Sequence, residues 1–202
     1  MTETLNLPIG YYELPKGKLV NVVTCLEMTA KPEALSLGLP EGLSLRRFGP
    51  ENIIEFRDLF RVIGTDLMWF SRLIMPDQQL LAILTNPATE SFALVKDDEP
   101  IGLLELNFAH LPDCELAFFG LKPDAVGHGL GRALMTEAIR LAWMKPISRF
   151  WVHTCHYDHP KAVSFYKSSG FKPYSLMIEV HDDPRLSGHL PESASPQVAL
   201  LK

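Results

Sequence analysis

The chain has 202 residues, enough for one domain with a substantial core, and its 47% hydrophobic and 21% charged residues are the balance of a soluble globular protein. Its 19 Lys and Arg against 24 Asp and Glu leave a net charge of −5, which argues against nucleic acid as a partner. Three cysteines (Cys25, Cys114, Cys155) without paired spacing read as reduced thiols of a cytoplasmic protein, and neither a signal-peptide pattern nor a membrane-length apolar run is present.

Residues 1–40 are broken by Pro8, Pro15, Pro32 and Pro40, and read as an N-terminal extension. Within it KLVNVVTCLEM (Lys18–Met28) is β-rich and is expected to add a strand to an edge of the main sheet. A domain over 41–182 opens with the alternating run Leu43–Phe48, a strand. Apolar residues at Ile53, Phe56, Leu59, Phe60 and Ile63 then form a helical stripe closed by Gly64. A second helical stretch follows, broken near Pro76. SFALVKDDEPIGLLELNF is a hairpin turning at Lys96–Pro100, and CELAFFGLKP is the next strand. GRALMTEAIRLAWMK is a helix, RFWVHTCHY a strand, HPKAVSFYKSSG a helix stopped by Gly170, and YSLMIEV the closing strand. The expected fold class is α/β of mixed type, a mostly antiparallel sheet with helices on both faces. Residues 183–202, with three prolines and a glycine, read as a tail that is loop or partly disordered.

The stretch AVGHGLGRALM (Ala125–Met135) puts Gly127, Gly129 and Gly131 just before a helix. Bare backbone at a helix start suits an anion, because unpaired N–H groups and the positive dipole end meet there. A dinucleotide fingerprint fails, since Arg132 stands where the third glycine belongs, and a Walker loop fails for want of Lys and hydroxyl.

With its surroundings, the loop resembles the Gcn5-related N-acetyltransferase (GNAT) superfamily. Gly129 and Gly131 fill the last two fixed positions of that family's [QR]-x-x-G-x-[GA] motif, while Val126 stands where Gln or Arg is usual. HPKAVSFYKSSGF matches N-x-x-A-x-x-F-Y-x-x-x-G-F at Ala162, Phe165, Tyr166, Gly170 and Phe171, with His159 in place of Asn. The likeness runs from Leu43 to Val180. It implies a GNAT fold, acetyl-CoA as co-substrate and transfer of acetyl to a primary amine of a small molecule or protein. A degenerate domain that holds acyl-CoA as a regulatory module is the alternative; Val126 favours it and the intact Tyr166 motif opposes it.

The resemblance also implies site residues. Acetyl-CoA would lie against Phe119, Gly120, Leu121, the turn Gly127, His128, Gly129, Leu130, Gly131 and Arg132, and the segment His159, Ala162, Tyr166. The thioester would reach the point where the fourth and fifth core strands splay, with backbone amides as the oxyanion site. Tyr166 corresponds to the family's general acid, and its reference pKa of about 10 lies just above that of a thiol, about 8.5. For the base, Glu115 and Glu105 both sit in apolar strands, where an unpaired carboxylate is costly; alternation places Glu115 on the face of Ala117 and Phe119. A base relayed through solvent stays open.

HTCHYDH does not imply a metal: His153 and His156 point to opposite faces of a strand, so no metal is expected. His159 belongs to the strand–helix turn, with Asp158 as its helix cap. The acceptor pocket falls on Gly64–Pro87, where Trp69 and Phe70 offer aromatic walls and Arg72 a site for a carboxylate; packing into the core is the competing reading for the two aromatics. Sheet edges and the N-terminal extension are where a homodimer would form.

Overall fold

The computed structural model describes residues 6–33 and 38–202, so the expected irregular extension is followed except at 1–5 and 34–37, which lie outside the described residues. The elements are β1 (Lys18–Met28), β2 (Leu43–Arg47), α1 (Ile53–Gly64), α2 (Ser71–Ile74), α3 (Asp77–Thr85), β3 (Thr89–Lys96), β4 (Glu99–Asn107), β5 (Asp113–Leu121), α4 (Leu130–Ala142), β6 (Arg149–Cys155), α5 (Ala162–Ser168) and β7 (Lys172–Asp182). Each strand and helix expected from Leu43 onward forms, and the stretch around Pro76 is two helices rather than one, because Pro76 caps α3. No helix among the described residues is long and apolar enough to cross a membrane.

Seven strands form one mixed, mostly antiparallel sheet in the order β2-β3-β4-β5-β6-β1-β7, with β5 and β6 the parallel pair. The N-terminal strand is therefore not at an edge. β1 pairs with β6 on one side and β7 on the other, and the edge falls to β7. Its burial explains this placement: Leu26 and Met28 are covered on one face and Leu19, Val23 and Cys25 are buried too, which an edge strand covered on one face would not achieve.

Helices α4 and α5 cover one face of the sheet, over Leu104, Leu106, Leu116, Phe150 and Val152. Helices α1 and α3 cover half of the other, where Phe56, Leu59, Phe60 and Ile63 line up along α1 as the helical period requires. Part of the rest of that second face is covered by the tail. Residues after Asp182 form neither helix nor strand, yet Leu190 and Ala194 pack with Leu19, Met68 and Tyr157. Arg185 organises them. Its guanidinium donates to the carbonyls of Ala194, Val198 and Ala199 and to the Asp183 carboxylate. Ser195 Oγ ties the tail to α1's exit by donating to the Asp66 carbonyl at 2.7 Å.

A single irregularity resets the faces of β5. In the β4–β5 ladder Leu106 faces Leu116 but Glu105 faces Phe118, so Ala117 is an extra residue, a bulge. The side-chain alternation of β5 flips there. Glu115 shares a face with Phe118, opposite Phe119, and not the face of Phe119 that simple alternation assigns.

Candidate active site

The parallel pairing of β5 and β6 is short. It runs through Asp113↔Arg149, Cys114↔Phe150 and Glu115↔Trp151 and then stops, immediately before the bulge at Ala117. From there Leu116–Leu121 and Val152–Cys155 diverge, and the facing backbone edges have no ladder partner. The two sides of this gap carry different chemistry.

On the α4–α5 side the chain leaves β5 through a turn to α4. Gly127 (φ 94°) and Gly129 (φ 76°, the α4 N-cap) are left-handed, and a Cβ at either would meet nothing within 4 Å. Glycine is there for conformation, and the space above it is open. Gly131 has ordinary helical backbone, with Leu121 and Phe165 3.8 Å from a notional Cβ, so its conformation does not demand glycine. His128 is exposed, Leu130 opens α4 half-buried, and Arg132 reaches across to Ser168 Oγ at 3.0 Å beside the Phe165 ring. Phe119 stacks on Phe165 (5.7 Å between centroids) and lies 6.4 Å from Tyr166. Ala162, at the start of α5, joins this cluster.

Tyr166 is 7% exposed, with Phe165 and Phe171 edge-on against its ring. Burial, with the nearby Asp158 carboxylate adding to it, pushes its hydroxyl well above the ordinary tyrosine range. The group stays protonated across the physiological range.

On the α1–α2 side Trp69 spans the gap. Its ring rests against Gly120 of β5, Phe60 and Phe118, and its indole N–H donates to Asp158 Oδ1, beyond the end of β6, at 3.4 Å. Phe70 turns away into the tail cluster, its ring tilted against His181 with centroids 5.6 Å apart. Arg72 and Glu105 come together: Nη2 donates to Oε1 at 2.7 Å, and Ser91 Oγ donates to Oε2 at 2.8 Å. Glu105 is 1% exposed with both oxygens engaged. Glu115 is freer, accepting from Asn107 Nδ2 at 3.3 Å with His153 Nδ1 at 3.8 Å.

Asp158 does not cap α5, whose N-cap is Lys161. It closes the end of β6 instead, Oδ2 accepting from Thr154 Oγ1 at 2.6 Å and from the Cys155 N–H at 3.1 Å. His159 Nδ1 accepts from the Lys161 N–H at 3.1 Å. The imidazoles of this stretch go separate ways, His153 toward Glu115, His156 accepting from the Val22 N–H and His159 within its own turn.

The acetyltransferase (GNAT) family model matches residues 55–171, more than half of the chain. The chain belongs to that family. Among solved structures, a putative GNAT acetyltransferase from Novosphingobium aromaticivorans aligns at 14% identity and TM-score 0.57, over 84% of this chain and 68% of that one. A GCN5-related N-acetyltransferase from Sphaerobacter thermophilus aligns at 15% identity and TM-score 0.60, over 81% of this chain and 52% of that one, so this chain spans about half its length. An aminoglycoside acetyltransferase from an uncultured soil sample aligns at 16% identity and TM-score 0.54, over 64% of this chain and 88% of that one. These likenesses carry the GNAT fold. No curated protein matches the sequence.

Two features of the site escaped sequence reasoning. The bulge at Ala117 has no glycine or proline to mark it. The Arg72–Glu105 pair did have a signal, since a glutamate in an apolar strand calls for a buried cation and the acceptor-side segment offers Arg72.

Proposed function

We propose that the chain is an acetyl-CoA-dependent N-acetyltransferase acting on a primary amine in the cytoplasm. The observation that carries this reading is the pairing of β5 and β6, which ends at Glu115 and Trp151 with the open glycine turn on one side of the gap and carboxylates on the other. The residues present fit the group: Gly127 and Gly129 leave free approach to the N–H groups at the α4 N-terminus, and Arg132 stands beside them. Bound acetyl-CoA supplies an activated acyl group as a thioester.

The chain's own residues would do the rest. Backbone N–H groups of β5 around the bulge stabilise negative charge on the acyl oxygen. Tyr166 holds its proton for the departing thiolate. Glu115, half-free and at the closed end of the gap, draws the acceptor's proton through water, while Glu105 is committed to Arg72 and Ser91. Trp69 and the aromatic cluster beneath it exclude water from the acceptor side.

A second reading, an acyl-CoA-binding regulatory domain, is favoured by Val126, a half-exposed apolar side chain (45%) in the position where the family's motif carries Gln or Arg. Calorimetric titration with acetyl-CoA followed by thiol release over a panel of amines separates the two. Binding with turnover supports the enzyme, binding without turnover the regulatory domain, and absence of binding removes both.

A further inference from the structure

Resting on that reading of the gap, we propose that Asp158 anchors the ammonium group of the acceptor, which makes the acceptor a cationic aliphatic amine.

Asp158 lies at the open end of the β5–β6 gap, between the donor side and the acceptor side. Its Oδ2 is fixed by Thr154 Oγ1 and the Cys155 N–H, which orients the carboxylate. Its Oδ1 has only the Trp69 indole N–H, at 3.4 Å, a long bond that leaves accepting capacity on that oxygen. The Trp69 ring beside it, held against Phe118 and Gly120, supplies an aromatic edge to the same spot.

Charge on this surface points the same way. Glu105 is neutralised by Arg72. The nearest cation at the closed end, Arg149, is held by Glu27 and Asp113. That leaves Glu115 at the closed end and Asp158 at the open end, and among the described residues neither has a Lys or Arg within 4.0 Å. Two carboxylates without a Lys or Arg partner therefore flank the gap, one at each end, with only the His153 imidazole near Glu115. A fixed, half-buried carboxylate beside an aromatic ring is the chemistry that binds an ammonium ion, and the negative field draws cations toward it. A carboxylate-bearing acceptor would meet repulsion instead.

The role is capture and orientation; loss of the acceptor's proton is left to water and Glu115. Hexylammonium chloride and aniline are the probes, since near neutrality the first is charged and the second is not. Each is titrated into the full chain and into Asp158→Asn, with the indole N–H resonances followed by NMR, and acetyl-CoA is titrated separately by calorimetry. Hexylammonium should bind Asp158→Asn about tenfold or more weakly than wild type, with aniline and acetyl-CoA affinities unmoved. Equal hexylammonium affinity in the two proteins, no hexylammonium binding by wild type, or equal weakening of both amines would overturn the proposal; the last would mean that the carboxylate only holds the turn. Should Asp158→Asn not fold, Asp158→Glu keeps the charge but displaces it by one methylene, and must weaken hexylammonium while sparing aniline. If acetyl-CoA gives no heat yet the two amines are still discriminated, the proposed function falls and the ammonium site stands.

Discussion

Arg72 and Glu105 form a buried ion pair across the acceptor face of the sheet, Nη2 to Oε1 at 2.7 Å, with the guanidinium 5.0 Å over the Phe118 ring. The side chains are 16% and 1% exposed, so the pair is shielded from water, and removing one partner strands the other's charge. Arg72→Ala should cost about 3–5 kcal/mol in chemical denaturation. The double variant Arg72→Met/Glu105→Leu should recover most of that loss, because apolar groups of similar size leave no orphaned charge. A single-variant cost under about 1 kcal/mol would class the pair with screened surface bridges.

Gly120 and Trp69 interlock. A Cβ at Gly120 would lie 2.5 Å from Ile63 Cγ2 and 3.2 Å from Trp69 Cη2, and both neighbours are wedged into the α1 core. Gly120→Ala should therefore destabilise by about 1–3 kcal/mol through overpacking. Displacing Trp69 should also alter its bond to Asp158, so acceptor KM should rise more than the acetyl-CoA dissociation constant. Melting temperature and steady-state kinetics together check this; an unchanged melting temperature would show that the ring has room to move.

The tail should be acid-labile. Asp183 accepts from the Arg185 backbone N–H and guanidinium, and these bonds hold its carboxyl below the usual carboxylate range. A depressed folded pKa contributes stability that is complete above the unfolded value, about 3.9, and vanishes as pH falls through the folded value. Limited proteolysis of residues 183–202 should stay slow from neutrality to about pH 5 and accelerate below about pH 4. Asp183→Asn should expose the tail at neutral pH and flatten that dependence.

Sequence legibility followed the strength of local signals. Helix α1 was readable because Phe56, Leu59, Phe60 and Ile63 repeat at the helical period, and all four are buried. The β3–β4 hairpin was readable from its polar turn, where Asp97 and Asp98 adopt positive φ. The location of β1 was not, since pairing between strands distant in sequence leaves no local trace; Lys18–Met28 reads as a strand whichever neighbours it takes. Nor was the orientation of Glu115, because one inserted residue at Ala117 reverses every later side chain in β5. Tail packing was hidden by composition: prolines and glycine marked residues 183–202 as loop, and the order comes from one buried guanidinium bonded to three carbonyls.

The glycine turn should tolerate side chains structurally but not functionally. At Gly129 the space is open, so Gly129→Val meets no clash, but φ 76° is strained for a β-branched residue. The strain should cost about 1–3 kcal/mol, short of unfolding, while the turn reshapes and the α4 N–H groups lose their approach. Acetyl-CoA affinity by calorimetry should fall by about 100-fold or more, with circular dichroism unchanged. Gly131→Ala, at ordinary helical backbone with 3.8 Å of clearance, should be mild in both respects. If Gly129→Val binds normally, acetyl-CoA does not use this turn.

Tyr166→Phe tests the proton donor. The ring sits between Phe119, Phe165 and Phe171, and Phe keeps every one of those contacts, so melting temperature and acetyl-CoA affinity should barely move. What is lost is the one proton the side chain can give. With its pKa held above the ordinary range by burial, the wild-type hydroxyl remains protonated through neutral and mildly alkaline conditions, so kcat should show no decline from tyrosine ionisation between about pH 7 and pH 10. In the variant, kcat should fall by about 10²–10⁴-fold. The loss should shrink with an acetyl donor whose thiol is more acidic, because its thiolate departs with less help. A loss below about tenfold, indifferent to the leaving group, would mean that water protonates the thiolate and that Tyr166 serves only as packing.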